Sequence, residues 1–302
     1  MIKLLNYIII FLFGLAQSQS QITSEEILIN NDGIELPGTL KFTKEKTPLL
    51  IWIHGSGGID RIGGPSKMIE QFGNEILKHN LAFFSYDKRT SNTKNIVFLK
   101  QGVVFSDFVS DVKKVINHFK NDKRFTEIIL VGHSQGSLIA MLASNNIDKY
   151  ISLAGAGETI DKTLIRQVTK QSSELGIITE SHIKELVETG SIKNVNPNLM
   201  SLFAPQNQPF FSEWIVIKPT VEIKKVDIPI LIINGDKDLQ VLVNDAKLLH
   251  NANPKSELVI IEKMNHQLKH IEKDEDNYKS YTTPEFPISK KLIETIVSFV
   301  KK

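Results

Sequence analysis

The sequence predicts an α/β protein built on a mostly parallel β-sheet that helices cover on both faces. Six short apolar segments have the length and composition of buried parallel strands: residues 49–53, 81–86, 128–131, 150–154, 228–233 and 258–261. Amphipathic stretches separate most of them and predict helices over residues 68–78, 108–119, 137–143, 243–249 and 288–300. Strands that alternate with helices in this way are typical of a parallel, doubly covered sheet.

The first 20 residues have the pattern of a secretory signal peptide. Lys3 supplies a positive start, an apolar segment extends to Ala16, and small residues then stand where a signal peptidase would cut, near Ser18 or Ser20. An uncleaved anchor is the alternative, although the apolar segment is shorter than the roughly 20 residues that cross a bilayer. We expect an exported protein, periplasmic or secreted, that keeps no stable membrane span after cleavage.

A β-hairpin is predicted at the start of the mature chain. Two stretches of alternating polar and apolar residues, between positions 26 and 42, flank Asn31, Asp32 and Gly33. Asparagine, aspartate and glycine are the residues that form tight turns between two strands.

The alternation of strands and helices stops between residues 157 and 221. We predict that residues 157–221 form a helical cap inserted into a core of residues 21–156 and 222–302, because polar helical stretches there replace the strands. The alternative is a long excursion with no role in substrate choice. Phe210, Phe211 and Trp214 could line an acyl pocket in the cap or only pack the cap onto the core.

Composition excludes some classes of function. The 36 basic and 34 acidic residues are scattered along the chain and give a formal net charge of +2, so no field that would attract nucleic acid is expected. The chain has no cysteine, which excludes disulfides and thiolate chemistry. The sequence leaves the oligomeric state open.

The strongest motif is the G-x-S-x-G pentapeptide of residues 132–136, whose serine is Ser134. It stands between a predicted strand and a predicted helix, the context in which a sharp turn exposes a nucleophilic serine. A serine hydroxyl is a poor nucleophile at neutral pH and needs a base beside it. The amides at the start of the helix are suited to bind a developing oxyanion.

With this motif and four other segments, the sequence resembles the bacterial α/β-hydrolases of the serine esterase and peptidase type. The segments follow one another in the family's order: HGSGGIDR at 54–61, SYDKRTS at 85–91, VGHSQG at 131–136, INGDKDLQV at 233–241 and MNHQ at 264–267. Thr90 departs from the glycine that usually follows the family's D-x-R turn. The resemblance covers nearly the whole mature chain and implies the α/β-hydrolase fold, with hydrolysis of esters, amides or peptides.

The resemblance also implies two partners for Ser134. The family's acid lies in a G-x-x-D loop after the penultimate strand, which corresponds to Asp238, with Asp236 as the alternative. His266 follows the last apolar segment, so the order serine, aspartate, histidine is kept, and His270 is the alternative base. A carboxylate that holds one imidazole nitrogen leaves the other free to accept the serine proton.

The string HQLKH, which contains both histidines, invites comparison with the zinc motif H-E-x-x-H. Gln267 occupies the position where that motif needs a glutamate base, and no third ligand follows at a fixed spacing. We therefore predict neither a metal nor any other cofactor.

A glycine-rich segment at residues 54–58 ends the strand predicted over residues 49–53. The resemblance places the second half of an oxyanion hole here, and we assign the two donors to the amides of Ser56 and Gln135, with Gly57 as the alternative to Ser56. Asp60 and Arg61 follow the glycines, and we expect an ion pair there that shapes the loop.

Together these features predict a serine hydrolase that cleaves carboxylic esters through an acyl-serine intermediate. The expected partner is a small-molecule ester, or a short peptide or amide, because an aminopeptidase or amidase would use the same three side chains. A non-catalytic binding protein on a hydrolase scaffold is a further alternative. The cap sets the choice of substrate, and its pocket cannot be deduced from the sequence.

Overall fold

A computed structural model describes residues 21–100 and 102–302, so the predicted signal peptide lies outside the described residues. Eight strands form one sheet: β1 (Thr23–Asn31), β2 (Ile34–Phe42), β3 (Thr47–Ile53), β4 (Ala82–Tyr86), β5 (Phe125–His133), β6 (Lys149–Leu153), β7 (Ile230–Gly235) and β8 (Glu257–Ile261). Their order across the sheet is β1-β2-β4-β3-β5-β6-β7-β8. Strands β3 to β8 are parallel, and β2 is antiparallel to both β1 and β4. The predicted mostly parallel sheet is confirmed.

Helices cover both faces of this sheet. Within the described part of the chain they are α1 (Met68–Leu77), α2 (Ile96–Leu99), α3 (Phe105–Phe119), α4 (Gln135–Leu142), α5 (Ile160–Gln171), α6 (Ser173–Thr189), α7 (Met200–Phe203), α8 (Gln208–Ile215), α9 (Pro219–Glu222), α10 (Val243–Ala252), α11 (Asp276–Lys279) and α12 (Lys290–Val300). Helices α1 and α12 pack on one face, and α3, α4 and α10 pack on the other. None of these helices combines the length and the apolar character that crossing a bilayer requires.

The N-terminal hairpin forms where the turn residues predict it. Asn31 pairs with Ile34, so the connection between β1 and β2 has two residues, Asp32 and Gly33. Both have positive φ angles, 53° and 92°, as the tight turns that match the twist of a hairpin require. Asparagine, aspartate and glycine tolerate this conformation better than other residues, which explains why the turn could be predicted.

Strand β3 shows why both faces must be covered. Leu49 and Ile51 belong to one apolar core, Leu50 and Trp52 belong to the other, and all four are fully buried. Successive side chains of a strand point to opposite faces, so an unbroken apolar run forms a strand only where helices lie on both sides.

Strand β8 departs from the prediction of a buried strand. Leu258 and Val259 are half-buried, and Ile260 is 36% exposed. The reason is position, because β8 lies at the edge of the sheet and pairs only with β7. The apolar run predicts the strand correctly but contains no information on its place in the sheet.

Helices α5 to α9 lie between β6 and β7, where the sequence predicts a cap. The long polar stretch is divided at Ser172, whose side chain accepts a hydrogen bond from the Leu175 amide and begins α6. Helix α8 packs against α3, where the ring of Trp214 stacks on Phe105 with 5.3 Å between ring centroids. The boundaries of the cap at residues 157 and 221 stay a prediction.

A buried ion pair connects the segment after β4 to α3. The guanidinium of Arg89 donates to both carboxylate oxygens of Asp111 at 2.7 and 2.8 Å, and Asn31 of the hairpin donates to the same carboxylate at 2.8 Å. Arg89 and Asp111 are 6% and 2% exposed. Three distant parts of the chain therefore meet at one carboxylate.

Replacing Asp111 with alanine is expected to lower the free energy of unfolding by about 3 kcal/mol, because the buried Arg89 charge would lose two hydrogen bonds and keep only the partly exposed Asp107 carboxylate, at 3.1 Å, as an ionic partner. Urea denaturation followed by circular dichroism measures this loss. The matched control is Asp227→Ala, which removes one side of the exposed pair between Asp227 and Lys255 and should leave the midpoint unchanged. Equal stability of the two variants would contradict the prediction.

Candidate active site

Ser134 occupies the sharp turn between β5 and α4. Its φ and ψ angles are 55° and −122°, outside the regions that non-glycine residues normally adopt. Such a conformation costs on the order of 1–3 kcal/mol and persists only where the surrounding structure holds it. Here the Ser134 amide donates to the carbonyl of Leu153 on β6 at 2.9 Å, which fixes the turn to the sheet.

The two glycines of the pentapeptide are required by close backbone contacts. A Cβ atom at position 132 would lie 2.5 Å from the Gly136 carbonyl oxygen, and one at position 136 would lie 2.6 Å from the carbonyl oxygen of His54. Both distances are shorter than any real Cβ contact, and the obstacles are backbone atoms that cannot move aside. The turn therefore brings Ser134 against the end of β3, as the motif predicts.

The hydroxyl of Ser134 is not used to cap the helix. A serine at this position commonly accepts an amide hydrogen bond from the first turn of the helix, but Ser134 makes no such bond. The residue is half-buried and lines a cavity of about 1170 Å³. Its oxygen is therefore available to a molecule in that cavity.

His266 and Asp238 are joined by a short hydrogen bond. The His266 Nδ1 atom donates to Asp238 Oδ2 at 2.8 Å, and both side chains are buried. The other oxygen of Asp238 accepts the amides of Gln240 and Val241 at 2.8 and 2.9 Å. Because Asp238 holds Nδ1–H, the second ring nitrogen of His266 is left as an acceptor.

The alternative acid and base have other contacts. Asp236 is exposed and accepts the Lys263 amide at 2.7 Å, and His270 pairs with Glu272 at 2.8 Å. In the described part of the chain, no three histidine, aspartate or glutamate side chains are grouped to hold a metal ion. The geometry brings together Asp238 and His266, and it places Ser134 and His266 on the same cavity.

His133, within the pentapeptide, supports the loop that carries His266. Its Nε2 atom donates to the His266 carbonyl at 2.8 Å, and its ring stacks on Trp52 of β3. Burial and the neighbouring His266 lower the pKa of His133 to about 3, so its ring stays neutral at physiological pH. The sequence marks this residue only as part of the motif and does not show its contact with a segment 133 positions away.

The amides assigned to an oxyanion hole are free of protein acceptors. In the segments that the structure describes, neither the Ser56 nor the Gln135 N–H donates to another protein group, and both residues line the cavity. Gln135 is the first residue of α4, where helix amides have no partner within the helix. The Gly57 amide, the alternative to Ser56, also belongs to the cavity wall.

The cavity beside Ser134 has a volume of about 1170 Å³. The loops after β3, β5, β7 and β8 form the side that carries Ser134 and His266. Helices α3, α4, α5 and α8 also line the cavity, mostly with apolar side chains, namely Phe108, Leu138, Ile160, Leu164, Phe210, Phe211 and Trp214. Aromatic residues of the predicted cap therefore both line the cavity and pack against the core.

The prediction of an ion pair between Asp60 and Arg61 is wrong. The Arg61 guanidinium instead makes two hydrogen bonds to Asp87 at 3.0 and 3.1 Å and a further contact with Glu26. Asp60 accepts the amides of three following residues, Ile62 to Gly64. Adjacent side chains point apart in this loop, so each finds its partner elsewhere.

Comparisons with known proteins identify the family of the chain. The BD-FAE family model matches residues 38–252, which is more than half of the chain. The chain belongs to the BD-FAE family. This membership confirms the prediction of a bacterial α/β-hydrolase and, with it, of a hydrolytic enzyme. No curated protein matches the sequence.

Solved structures of several other proteins share the fold at low sequence identity. Est1E from Butyrivibrio proteoclasticus superimposes with a TM-score of 0.59 at 19% identity, covering 92% of this chain and 99% of that chain. An esterase from Exiguobacterium antarcticum has a TM-score of 0.55 at 18% identity, with 91% and 99% covered. The Pyrococcus furiosus esterase Pf2001 has a TM-score of 0.60 at 15% identity, with 93% and 91% covered. The α/β-hydrolase fold is thereby confirmed.

Proposed function

We propose that the protein is a serine hydrolase that cleaves carboxylic esters through an acyl-serine intermediate, with Ser134, His266 and Asp238 as its catalytic triad. The observation that carries the proposal is the 2.8 Å hydrogen bond between His266 and Asp238 at the cavity that Ser134 lines. This pair supplies a base in the tautomer that serine activation needs.

In the first step, the Ser134 oxygen attacks the ester carbonyl while the free ring nitrogen of His266 takes the hydroxyl proton. The amides of Ser56 and Gln135 bind the negative oxygen of the tetrahedral intermediate, because no protein group competes for them. When the intermediate collapses, the bond to the alcohol oxygen breaks and His266 gives that oxygen its proton. The alcohol leaves, and the acyl group stays on Ser134.

In the second step, a water molecule attacks the acyl-serine carbonyl and His266 accepts a proton from it. Collapse of the second tetrahedral intermediate breaks the bond to the Ser134 oxygen, which regains its proton from His266. The products are a carboxylic acid and the free enzyme. Asp238 keeps its charge throughout and stabilises the imidazolium that forms in each step.

The cavity favours an ester with a bulky apolar acyl group. Its walls carry Phe108, Phe210 and Trp214, and its volume of about 1170 Å³ exceeds what an acetyl group fills. A structure of Est1E, which shares this fold, contains bound ferulic acid, an aromatic carboxylic acid. We therefore propose esters of aromatic or medium-chain acids as the substrate class, ahead of amides.

A fluorophosphonate probe and a substrate panel test this function. The probe is expected to add one phosphonyl group to Ser134, which peptide mass spectrometry locates. Among p-nitrophenyl acetate, butyrate and octanoate, methyl ferulate and amino-acid p-nitroanilides, we expect the highest kcat/KM for a longer or aromatic ester. Preference for the anilides would indicate an amidase, and an unlabelled, inactive protein would indicate a binding role.

A further inference from the structure

Lys88, on the segment after β4, is buried beside the proposed oxyanion hole. Its side chain is 4% exposed, although it contributes to the cavity wall. The Nζ atom donates to the Gly55 carbonyl at 2.7 Å and to the Gln135 side-chain oxygen at 2.9 Å, and it lies 4.5 Å from the centre of the Phe108 ring. The mechanism described above gives this residue no role.

The Gly55 carbonyl belongs to the same peptide group as the Ser56 N–H. A trans peptide is planar, and its N–H points away from its carbonyl. By holding the carbonyl, Lys88 fixes the direction of the Ser56 N–H on the opposite side of the peptide. A Cβ atom at Gly55 would lie 3.2 Å from the Ser134 Cβ, so this peptide group passes directly beside the nucleophile.

The second contact of Lys88 reaches the other assigned donor. Gln135 supplies its backbone amide at the start of α4, and its side chain is held by the same Nζ atom. Ser56 and Gln135 are 79 residues apart in the sequence, on the loop after β3 and on α4. Lys88 connects these two segments through two hydrogen bonds from one atom.

We propose that Lys88 is a positioning residue that aligns the two oxyanion amides of Ser56 and Gln135. This inference rests on the proposed function, since the amides matter only if an oxyanion forms. A hydrogen bond accepted by the Gly55 carbonyl also polarises the peptide and strengthens the Ser56 N–H as a donor.

The electrostatic surroundings are consistent with this role. Burial lowers the pKa of Lys88 to about 7, and the nearby Asp111 carboxylate of α3 opposes this shift. Asp111 is itself paired with Arg89, and His54 at the end of β3 is kept neutral because burial lowers its pKa to about 4. An ammonium and a neutral amine both have at least two N–H groups, so both can donate to Gly55 and Gln135.

Steady-state kinetics of Lys88→Met on p-nitrophenyl butyrate test the inference. Methionine keeps the unbranched shape of lysine but cannot donate a hydrogen bond. We expect kcat to fall about 10- to 100-fold, somewhat less than the loss of a whole oxyanion donor, with KM changed by less than about threefold. The acid limb of the kcat/KM profile should keep its position, because His266 and Asp238 are untouched.

Lys149→Met is the matched control, because it also removes a buried ammonium. Lys149 begins β6 and binds Glu127 and the Val300 carbonyl, at the end of the sheet opposite to Ser134. The kcat of Lys149→Met should equal that of the wild type. A similar loss of kcat in both variants would show that the Lys88 effect is a general consequence of removing a buried lysine, and this result would overturn the inference.

The variant Gln135→Leu provides a second test of the inference if Lys88→Met does not fold. It keeps Lys88 and both backbone amides but removes one acceptor, so a loss in kcat of about three- to tenfold is expected. Wild-type kcat in a folded Lys88→Met protein, or in Gln135→Leu, would overturn the positioning role alone. A wild-type protein that neither hydrolyses the ester nor reacts with a fluorophosphonate would overturn the proposed function itself.

Discussion

Replacing Ser134 with alanine is expected to lower kcat for an ester by about 10⁴- to 10⁶-fold, because the proposed mechanism places the acyl group on the Ser134 oxygen. Thermal stability should change little, since the hydroxyl makes no cap hydrogen bond and the strained backbone is unaltered. Stopped assays at high enzyme concentration measure the residual rate, and circular dichroism measures Tm.

Ser144→Ala is the control for this change. Ser144 follows α4 and its hydroxyl donates only to the Met141 carbonyl three residues earlier, so turnover should match that of the wild type. Ester hydrolysis by Ser134→Ala at the parent rate would rule out the acyl-serine mechanism.

Replacing Asp238 with asparagine should lower kcat by about 10³- to 10⁴-fold while the fold is preserved. The side-chain oxygen of asparagine can still accept the amides of Gln240 and Val241. Its NH₂ group, however, would face His266 Nδ1 and favour the tautomer with the proton on the other nitrogen, which cannot accept the serine proton.

Asp236→Asn is a closely matched control, because it makes the same change two residues away. Asp236 is exposed and accepts only the Lys263 amide, a bond that asparagine can also accept. We expect kcat within about twofold of the wild type. Comparable losses at both positions would argue that the loop, and not the carboxylate of Asp238, determines the rate.

The parts of the fold that depend on local chemistry could be predicted from the sequence. The hairpin turn needs residues that tolerate positive φ, and Asp32 and Gly33 supply them. The serine turn needs glycines at positions 132 and 136, because backbone atoms lie where a Cβ would stand. In both cases the steric requirement and the residues that meet it are neighbours in the chain.

Contacts between distant segments could not be predicted in this way. Arg61 binds Asp87 and Glu26 in place of the adjacent Asp60, and Lys88 reaches Gly55 and Gln135. The contacts of Arg61 with Asp87 and of Lys88 with Gly55 and Gln135 depend on the order of strands in the sheet, which brings the ends of β3, β4 and β5 together. Burial of Lys88 is likewise a property of the assembled structure, since its sequence neighbours are charged.

The residues that line the cavity come from different parts of the chain, and in the proposed mechanism this division separates the reacting groups from the residues that select the substrate. Ser134, Asp238 and His266 lie in the turns and loops that follow β5, β7 and β8, while Phe210 and Trp214 belong to the excursion between β6 and β7. A mutational library restricted to that excursion is expected to change the preference for the acyl group while Ser134, Asp238 and His266 stay unaltered. If the proposed triad is correct, the acyl preference of such variants would change while their reaction mechanism stays the same.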